Sequence, residues 1–459
     1  MLRKVTVATW IAAAAAAAVT PFAGGSAALA APATTAPTTT TAPAPVVTAP
    51  PALDSLRMPA VVSAQQGHAR FLVGVRLATP TRLTIQVVAV AGGKVVKTVT
   101  DAAARPAGRH YVRLEATDDS GFQLLQGSYR IRLQATDDAG QVSAALEAPF
   151  QLKLTPPRGR FDAYTLPLWR AFRRQSGETV DGQLVAVVGI KSAVAAAGLR
   201  RGDVITSIAG RSVAGPGAWS TALRALPANT GVTIEYVRKG LPRTGLLDAG
   251  PDWEAAPDLA KSLAVAVRRE PHVLAYGIAQ ARQLVDSGKL DGARAVIASW
   301  PRSWRSSAPG ELVHAELLVK QTRWKPALGA YNRARVHDRT MAAAEFGRGV
   351  TLAALDKTAL SGAAFAAAAR LDPTDPAAAG FESYALINAD DIPAALAAAQ
   401  RAVALDPRYA DAFLPFGISL LATGDKAGGV KALRRGLVLL DDAARATNLI
   451  AEHLDPTDP

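Results

Sequence analysis

Two periodicities divide this chain. Across residues 57–153 apolar side chains fall on every second position: in Arg70-Phe-Leu-Val-Gly-Val-Arg-Leu77, in Arg82-Leu-Thr-Ile-Gln-Val-Val-Ala-Val90 and, after a turn at Gly92-Gly93, in Lys94–Thr100. Alternation places every second side chain on one face of a pleated strand, so these segments are predicted strands with one buried face. From residue 256 onward the spacing becomes three and four, the period of a helix with one apolar stripe. That helical part also repeats. Pro373 and Pro407 stand 34 residues apart, in Ala-Arg-Leu-Asp-Pro and Ala-Leu-Asp-Pro, and their phase cuts the chain into units 274–307, 308–341, 342–375, 376–409 and 410–443.

Within those units the eighth position is small (Ala281, Ala315, Gly349, Ser383, Gly417), and so is the twentieth (Ala293, Ala327, Ser361, Ala395, Gly429). The twenty-fourth is bulky at Ile297, Tyr331, Phe365 and Leu433, with Ala399 the exception. Two helices cross closely only where both contribute small side chains. The pattern resembles the tetratricopeptide repeat, which implies a stack of helix pairs with a concave face that holds peptides. On that resemblance positions 2, 5, 9 and 12 of each first helix line the concave face. They are mostly apolar, among them Ile278, Val285, Leu312, Val319, Phe346, Val350, Ile387, Leu414, Ile418 and Leu421. The polar exceptions are Arg282, Glu316 and Tyr384, with Lys320 and Asn388 beside them. The Lys, Asn and Arg cluster with which some such proteins clamp a terminal carboxylate is missing, so a hydrophobic helix or extended segment is the expected ligand. The same apolar positions serve equally as interhelical core.

Between the alternating and the helical parts lies Ser192-Ala-Val-Ala-Ala-Ala-Gly-Leu-Arg-Arg-Gly-Asp-Val-Ile-Thr-Ser-Ile-Ala-Gly210. It reads as a short helix stopped by Gly198, a buried Leu199, a turn at Gly202-Asp203 and a strand Val204–Ile208. With the strand Leu184–Val188 before it and a helix Trp219–Leu226 after it, this order resembles a PDZ domain of the bacterial, protease-associated kind. The resemblance implies peptide binding by strand addition at a sheet edge. The carboxylate loop maps onto Arg158-Gly159-Arg160-Phe161, which departs from the family's hydrophobic-Gly-hydrophobic pattern. Candidate groove residues are therefore Gly159, Arg160 and Phe161, facing Trp219 and Leu223 on the helix. An arginine beside the loop suits a terminal carboxylate. A groove that no longer binds, kept as a spacer, fits the divergent loop equally well.

The block Gly127-Ser-Tyr129-Arg-Ile-Arg-Leu-Gln-Ala-Thr-Asp-Asp-Ala-Gly140 follows a related one from Gly108 to Gly121 and resembles the Ig-like sandwich of flagellar hook-capping and other secreted bacterial proteins. The acid pairs Asp118-Asp119 and Asp137-Asp138 are either calcium ligands or hairpin turns, and the glycine shortly after each favours turns.

Composition sets the outer frame. Arg3 and Lys4, the apolar run Val7–Val19 and Ala28-Leu-Ala30 form a charged, an apolar and a cleavage region, so residues 1–30 are an expected secretory signal peptide. Kept as an anchor, a helix over residues 8–22 would reach roughly 22 Å against a hydrocarbon core of about 30 Å, so no stable membrane span is expected. Residues 31–56, rich in Pro, Thr and Ala, form an extended linker or stalk. The fold class that follows is multidomain: an Ig-like β-sandwich over 57–155, a PDZ-like α+β domain over 156–248, a short linker around Leu246–Pro257 and an all-α tetratricopeptide solenoid over 256–459.

There is no cysteine, which removes disulfides, thiolate metal sites and a lipid-bearing thiol together. The net charge of +13 sits in the first half, since residues 251–459 balance at 24 basic and 24 acidic side chains. A basic front half is drawn to anionic wall polymer. No basic run is interleaved with aromatics, so nucleic acid is not an expected partner. His68, His110, His272, His314, His337 and His453 make no metal spacing, and no nucleophile elbow, S-x-x-K dyad, P-loop or dinucleotide fingerprint occurs. Neither catalysis nor a cofactor is expected. The expected function is that of a secreted or envelope scaffold binding other proteins or peptides. Its alternatives are a structural protein held on anionic wall polymer, or a regulator presenting substrates to a separate protease.

Overall fold

The computed structural model describes residues 50–440 apart from residues 68, 156 and 253–258. The expected signal peptide, most of the linker and the last part of the helical region lie outside the described residues. The chain divides into two compact units that part between Thr155 and Pro156.

The first unit is a two-sheet sandwich. Leu53–Arg57 (β1), Arg70–Leu77 (β3) and Gly108–Glu115 (β6) form one sheet. The other orders Val61–Gln65 (β2), Leu146–Thr155 (β8), Gly127–Thr136 (β7), Arg82–Ala89 (β4) and Val95–Thr100 (β5), with β2 parallel to β8. The alternation seen in the sequence becomes burial: along β7, Tyr129, Ile131, Leu133 and Ala135 point inward. They meet Phe71, Val73 and Val75 of the opposite sheet, and the Phe71 and Phe150 rings lie 5.2 Å apart across the core. The linker boundary expected at residue 56 is corrected, because Leu53–Arg57 is a strand paired with β3. The acid pairs build turns. Asp118 accepts the amides of Ser120 and Phe122, each at 2.9 Å, and Asp137 accepts that of Gln141 at 2.8 Å.

The second unit joins a sheet to a helical array. The sheet runs Leu241–Leu247 (β14), Val232–Arg238 (β13), Val204–Ile208 (β11), Gln183–Val188 (β10) and Ala163–Pro167 (β9), with Arg211–Ser212 (β12) on β11. Three short helices accompany it: Arg170–Ser176 (α1), Ala193–Ala196 (α2) and Pro216–Ala225 (α3). Gly198 and Gly202, at φ 87° and 89°, stop α2 and make the turn before β11. Asp203 closes that turn by accepting the Arg200 amide at 2.6 Å, and Arg238 pairs with both its oxygens. Leu246, expected to start the linker, is instead part of β14.

The array begins with Leu259–Arg269 (α4). Five helix pairs follow: Leu274–Asp286 and Leu290–Ser299 (α5, α6), then, after the single turn Arg302–Arg305 (α7), Ala308–Lys320 and Trp324–His337 (α8, α9), Ala342–Ala354 and Thr358–Leu371 (α10, α11), Pro376–Asn388 and Ile392–Leu405 (α12, α13), and Ala410–Ala422 and Lys426–Leu439 (α14, α15). First helices start at 274, 308, 342, 376 and 410, in step with the 34-residue phase. The small positions meet as the packing argument requires. The Ser361 hydroxyl reaches the Gly349 carbonyl at 2.9 Å and Ser383 reaches that of Ala395 at 2.8 Å, while a Cβ on Gly417 would lie 2.6 Å from Leu433.

Sheet and array share one core. The run Gln183-Leu-Val-Ala-Val-Val188 is buried on both faces, the reason it is apolar without alternation. Val185 joins Val194, Ile205, Trp219, Ala222 and Ile234 on the side of α3. Leu184, Ala186 and Val187 join Leu166, Trp169 and Phe172 in a cluster that continues through Leu263, Tyr276, Ile278, Leu312 and Val313 of the array. Two modules hung on a linker are thus replaced by a single packed body.

Candidate functional site

The expected groove lies between the edge strand β9 and α3. Most of its candidate groups are engaged within the chain. The Gly159 amide donates to the Leu226 carbonyl at 2.8 Å, and a Cβ there would sit 2.7 Å from the Pro227 oxygen. The Arg160 amide donates to the Gly250 carbonyl, and the Arg160 guanidinium clasps the buried Asp162 carboxylate instead of pointing outward. Phe161 meets Trp219 edge-on at 5.1 Å, and Trp219 is a core side chain, 8% exposed, with Leu223 packed beside it.

The expected concave-face residues fall into two groups. Arg282 and Glu316, 34 residues apart and on neighbouring first helices, form two hydrogen bonds of 2.9 and 3.0 Å. Trp169 covers the Arg282 guanidinium at 5.8 Å, and the Tyr164 hydroxyl on β9 donates to Asp286 at 3.2 Å. These groups occupy the first two repeats with the chain's own β9 segment. Burial pushes the Asp286 carboxyl up to about 7, with Glu316 adding to the shift while Arg282 and Lys320 oppose it. Burial also raises Glu316, against the pull of Arg282, and raises the Tyr164 phenol well above its usual value. Arg282 itself is held charged by the carboxylates around it.

The second group is aromatic. Phe346 stands 5.5 Å from Phe365 and 5.3 Å from Phe381, and Tyr384 lies 6.1 Å from Phe381. Asn388, at the end of α12, is exposed. Of the apolar positions assigned to the concave face, Ile278, Val285, Leu312, Val319, Val350 and Leu414 are buried as interhelical core.

A third cluster was not anticipated. The first amides of α3 lack a partner of their own, since its N-cap, Gly215, has no side chain. They are capped from 155 residues away: Gly217 donates to Asp372 at 3.0 Å and Ala218 to the Thr374 hydroxyl at 3.1 Å. At the other end of α3, Arg224 pairs with Asp406 and covers the Tyr409 ring at 5.1 Å, and Arg408 donates to the Arg224 carbonyl at 2.9 Å. Asp372 and Asp406 are the acids of the two Leu-Asp-Pro turns that set the repeat phase. Asp375 beside them is pushed up to about 6 by burial and by the Asp372 charge. Two sequence signals announce this contact: the recurrence of Leu-Asp-Pro, and glycines on either side of Pro216. A Cβ on Gly217 would fall 2.2 Å from the Asp375 Cα, and one on Gly215 would meet the Asp372 carboxylate at 2.6 Å.

Among the described residues no group of three or more His, Asp and Glu is placed to hold a metal ion, and no helix is long and apolar enough to cross a membrane. No family model matches the chain, and no curated protein does. Solved structures similar to it include MamA, at 16% identity over 36% of this chain and 96% of that one with a TM-score of 0.32. The tetratricopeptide protein YrrB is 19% identical over 41% of this chain and 97% of its own, at 0.33. The tetratricopeptide protein TTC0263 of Thermus thermophilus is 18% identical over 36% and 89%, at 0.32. The array's own 34-residue phasing, with small residues at both crossing positions, is what marks it as tetratricopeptide-like.

Proposed function

We propose that this chain is a noncatalytic protein-interaction scaffold whose second unit offers a PDZ-like strand-accepting groove braced by a tetratricopeptide array. The observation that carries this reading is the shared core running from β9 and β10 into the first repeats. It seats the edge strand β9 firmly on the repeat stack, as recognition by strand addition requires. The element order, with β9, α1, β10, α2, β11, β12, α3 and β13 in sequence, supports the PDZ-like part. The two-sheet first unit is read as Ig-like on its paired Gly-to-Gly blocks. Export rests on Arg3, Lys4 and the apolar run after them, and N-terminal sequencing of the secreted form tests it by locating the cleavage after residue 30.

The groove is tested on the mature chain with a displayed library of C-terminal and internal peptides. Binding in the micromolar range, lost in Leu223→Lys with unchanged melting temperature, supports the reading. No ligand better than about 1 mM removes it.

A further inference from the structure

We propose that the helical array, in addition to the sheet core that Trp219 and Ala222 join, sets the separation between β9 and α3, so that groove aperture and array curvature are coupled. Its use as a binding control rests on the groove reading above, while the straps themselves involve no ligand.

Each groove wall is tied to a different part of the array. β9 is held by the first repeat, through Tyr164 on Asp286 and Trp169 over Arg282. α3 is held further along, by the turns that close the third and fourth units. Its N-terminal amides end on Asp372 and Thr374, and a carboxylate there also complements the positive end of the helix. Its last turn ends on Asp406 and Arg408. From Gly217 to Arg224 the helix rises about 10 Å, close to the 8–10 Å step between packed helices. One short helix can therefore bridge two successive turns. Gly215 and Gly217 permit the approach, because any side chain at either would strike Asp372 or Asp375.

Repeat arrays contact only their nearest neighbours, so their soft motion is a change of curvature shared over every interface. Such a change displaces Asp286 relative to Asp372 and Asp406, and carries β9 and α3 with it. A partner that alters the curvature of the repeats then opens or narrows the groove. By reciprocity, an occupant of the groove changes the array's affinity for that partner by the same factor.

The chain's lack of cysteine makes the test clean. Spin labels at Arg170→Cys, beside β9, and Ser220→Cys, on α3, report the aperture of the full chain by double electron–electron resonance. One narrow distance is expected. Asp406→Asn or Arg224→Gln should broaden and lengthen it by freeing α3, and Tyr164→Phe should do the same from the opposite wall. Without the labels, Asp372→Asn should speed exchange of the Gly217 amide by roughly ten- to a hundredfold, the loss of one charge-assisted bond. Should Asp406→Asn fail to fold, Arg408→Ala removes only the bond to the Arg224 carbonyl and takes its place. Unchanged distances in the folded variants would mean that α3 is held by its own sheet alone, and would overturn the proposal. Shifted distances with no peptide binding would leave the straps standing and remove the groove reading alone.

Discussion

The two units use charge in opposite ways. In the sandwich, ion pairs lie on the surface: Glu147 takes Arg130 and Arg132 on an open sheet face, and Arg82 reaches Asp138 in an exposed turn. Its core cluster is apolar throughout, and only β4–β5 and β7–β8 are hairpins within one sheet, the other connections crossing between the sheets. The second unit has surface pairs too, Arg294 with Asp291 among them. It also places ionic groups inside, at the seam between sheet and array, where Arg282 pairs with Glu316 and where Asp286, Asp372 and Asp406 link segments over a hundred residues apart. Apolar burial is enough to close a sandwich whose alternating strands each turn one apolar face toward the opposite sheet. Fixing one helix on one pair of repeats, out of five similar ones, takes groups with direction.

That contrast makes the Arg282–Glu316 pair the most damaging place to cut. Arg282→Met leaves the Glu316 carboxylate, 6% exposed, without its partner. The expected cost is about 3–5 kcal/mol, the usual penalty for an uncompensated buried charge. The double variant Arg282→Met, Glu316→Met removes both charges and should recover most of it. Calorimetry of the second unit's transition measures both. A double variant as unstable as the single one would show that the pair is held for packing alone.

The pH response should separate the units by sign. Asp286 and Asp375 are raised to about 7 and about 6, so the folded second unit binds protons that the unfolded chain has already released. The stability they contribute is therefore fully present below about pH 4 and lost as pH rises toward 7. Each group contributes a slope of at most about 1.4 kcal/mol per pH unit. In the sandwich Glu147 is lowered, chiefly by its hydrogen bond to Arg132, so its stabilisation is present above the ordinary glutamate range and fades on acidification. Melts from pH 4 to 8 should show the second-unit transition falling, with His314, lowered by burial, pulling the other way, and the sandwich transition level or rising. Asp286→Asn should flatten the first of these and leave the second alone.

Gly217→Ala sharpens the comparison from the side of the backbone. In a free helix alanine is better than glycine by about 1 kcal/mol, yet here the added methyl meets the Asp375 backbone. The expected result is a loss of about 1–3 kcal/mol in the second unit, as for other overpacked contacts. A gain would mean that α3 stands off the array in solution.

Legibility in the sequence follows the same division. Alternation along Gly127–Thr136 and the spacing of Pro373 and Pro407 are local signals, and strands and repeat phase came straight from them. The turn chemistry of Asp118, Asp137 and Asp203 is legible too, because an acid close to a glycine acts within a few residues. Arg282 and Glu316 stand out in the sequence as polar intruders on an apolar face, a pattern that points to a ligand in another molecule. Nothing near them in sequence names Tyr164 and Trp169. The Leu-Asp-Pro acids mark the repeat phase in the sequence but not their role as acceptors, since the helix that Asp372 caps lies 155 residues earlier. The expected groove residues share this history: Gly159 and Arg160 carry groups suited to a carboxylate, and only the fold reveals that Leu226, Gly250 and Asp162 already hold them.

The smallest expected effect completes the contrast. Glu147→Gln removes a carboxylate that two arginines hold at 2.7 and 3.0 Å, a geometry as good as that of Arg282 with Glu316. Its side chain is nevertheless a third exposed, and water and salt supply nearly equal company to each charge once the partner is gone. The sandwich's melting temperature should therefore barely move at neutral pH, and whatever shift occurs should vanish at high salt, where the Debye length is short. A loss comparable with that of Arg282→Met would mean that the sheet face carrying Glu147 is covered in the working protein, and that the sandwich too has a partner.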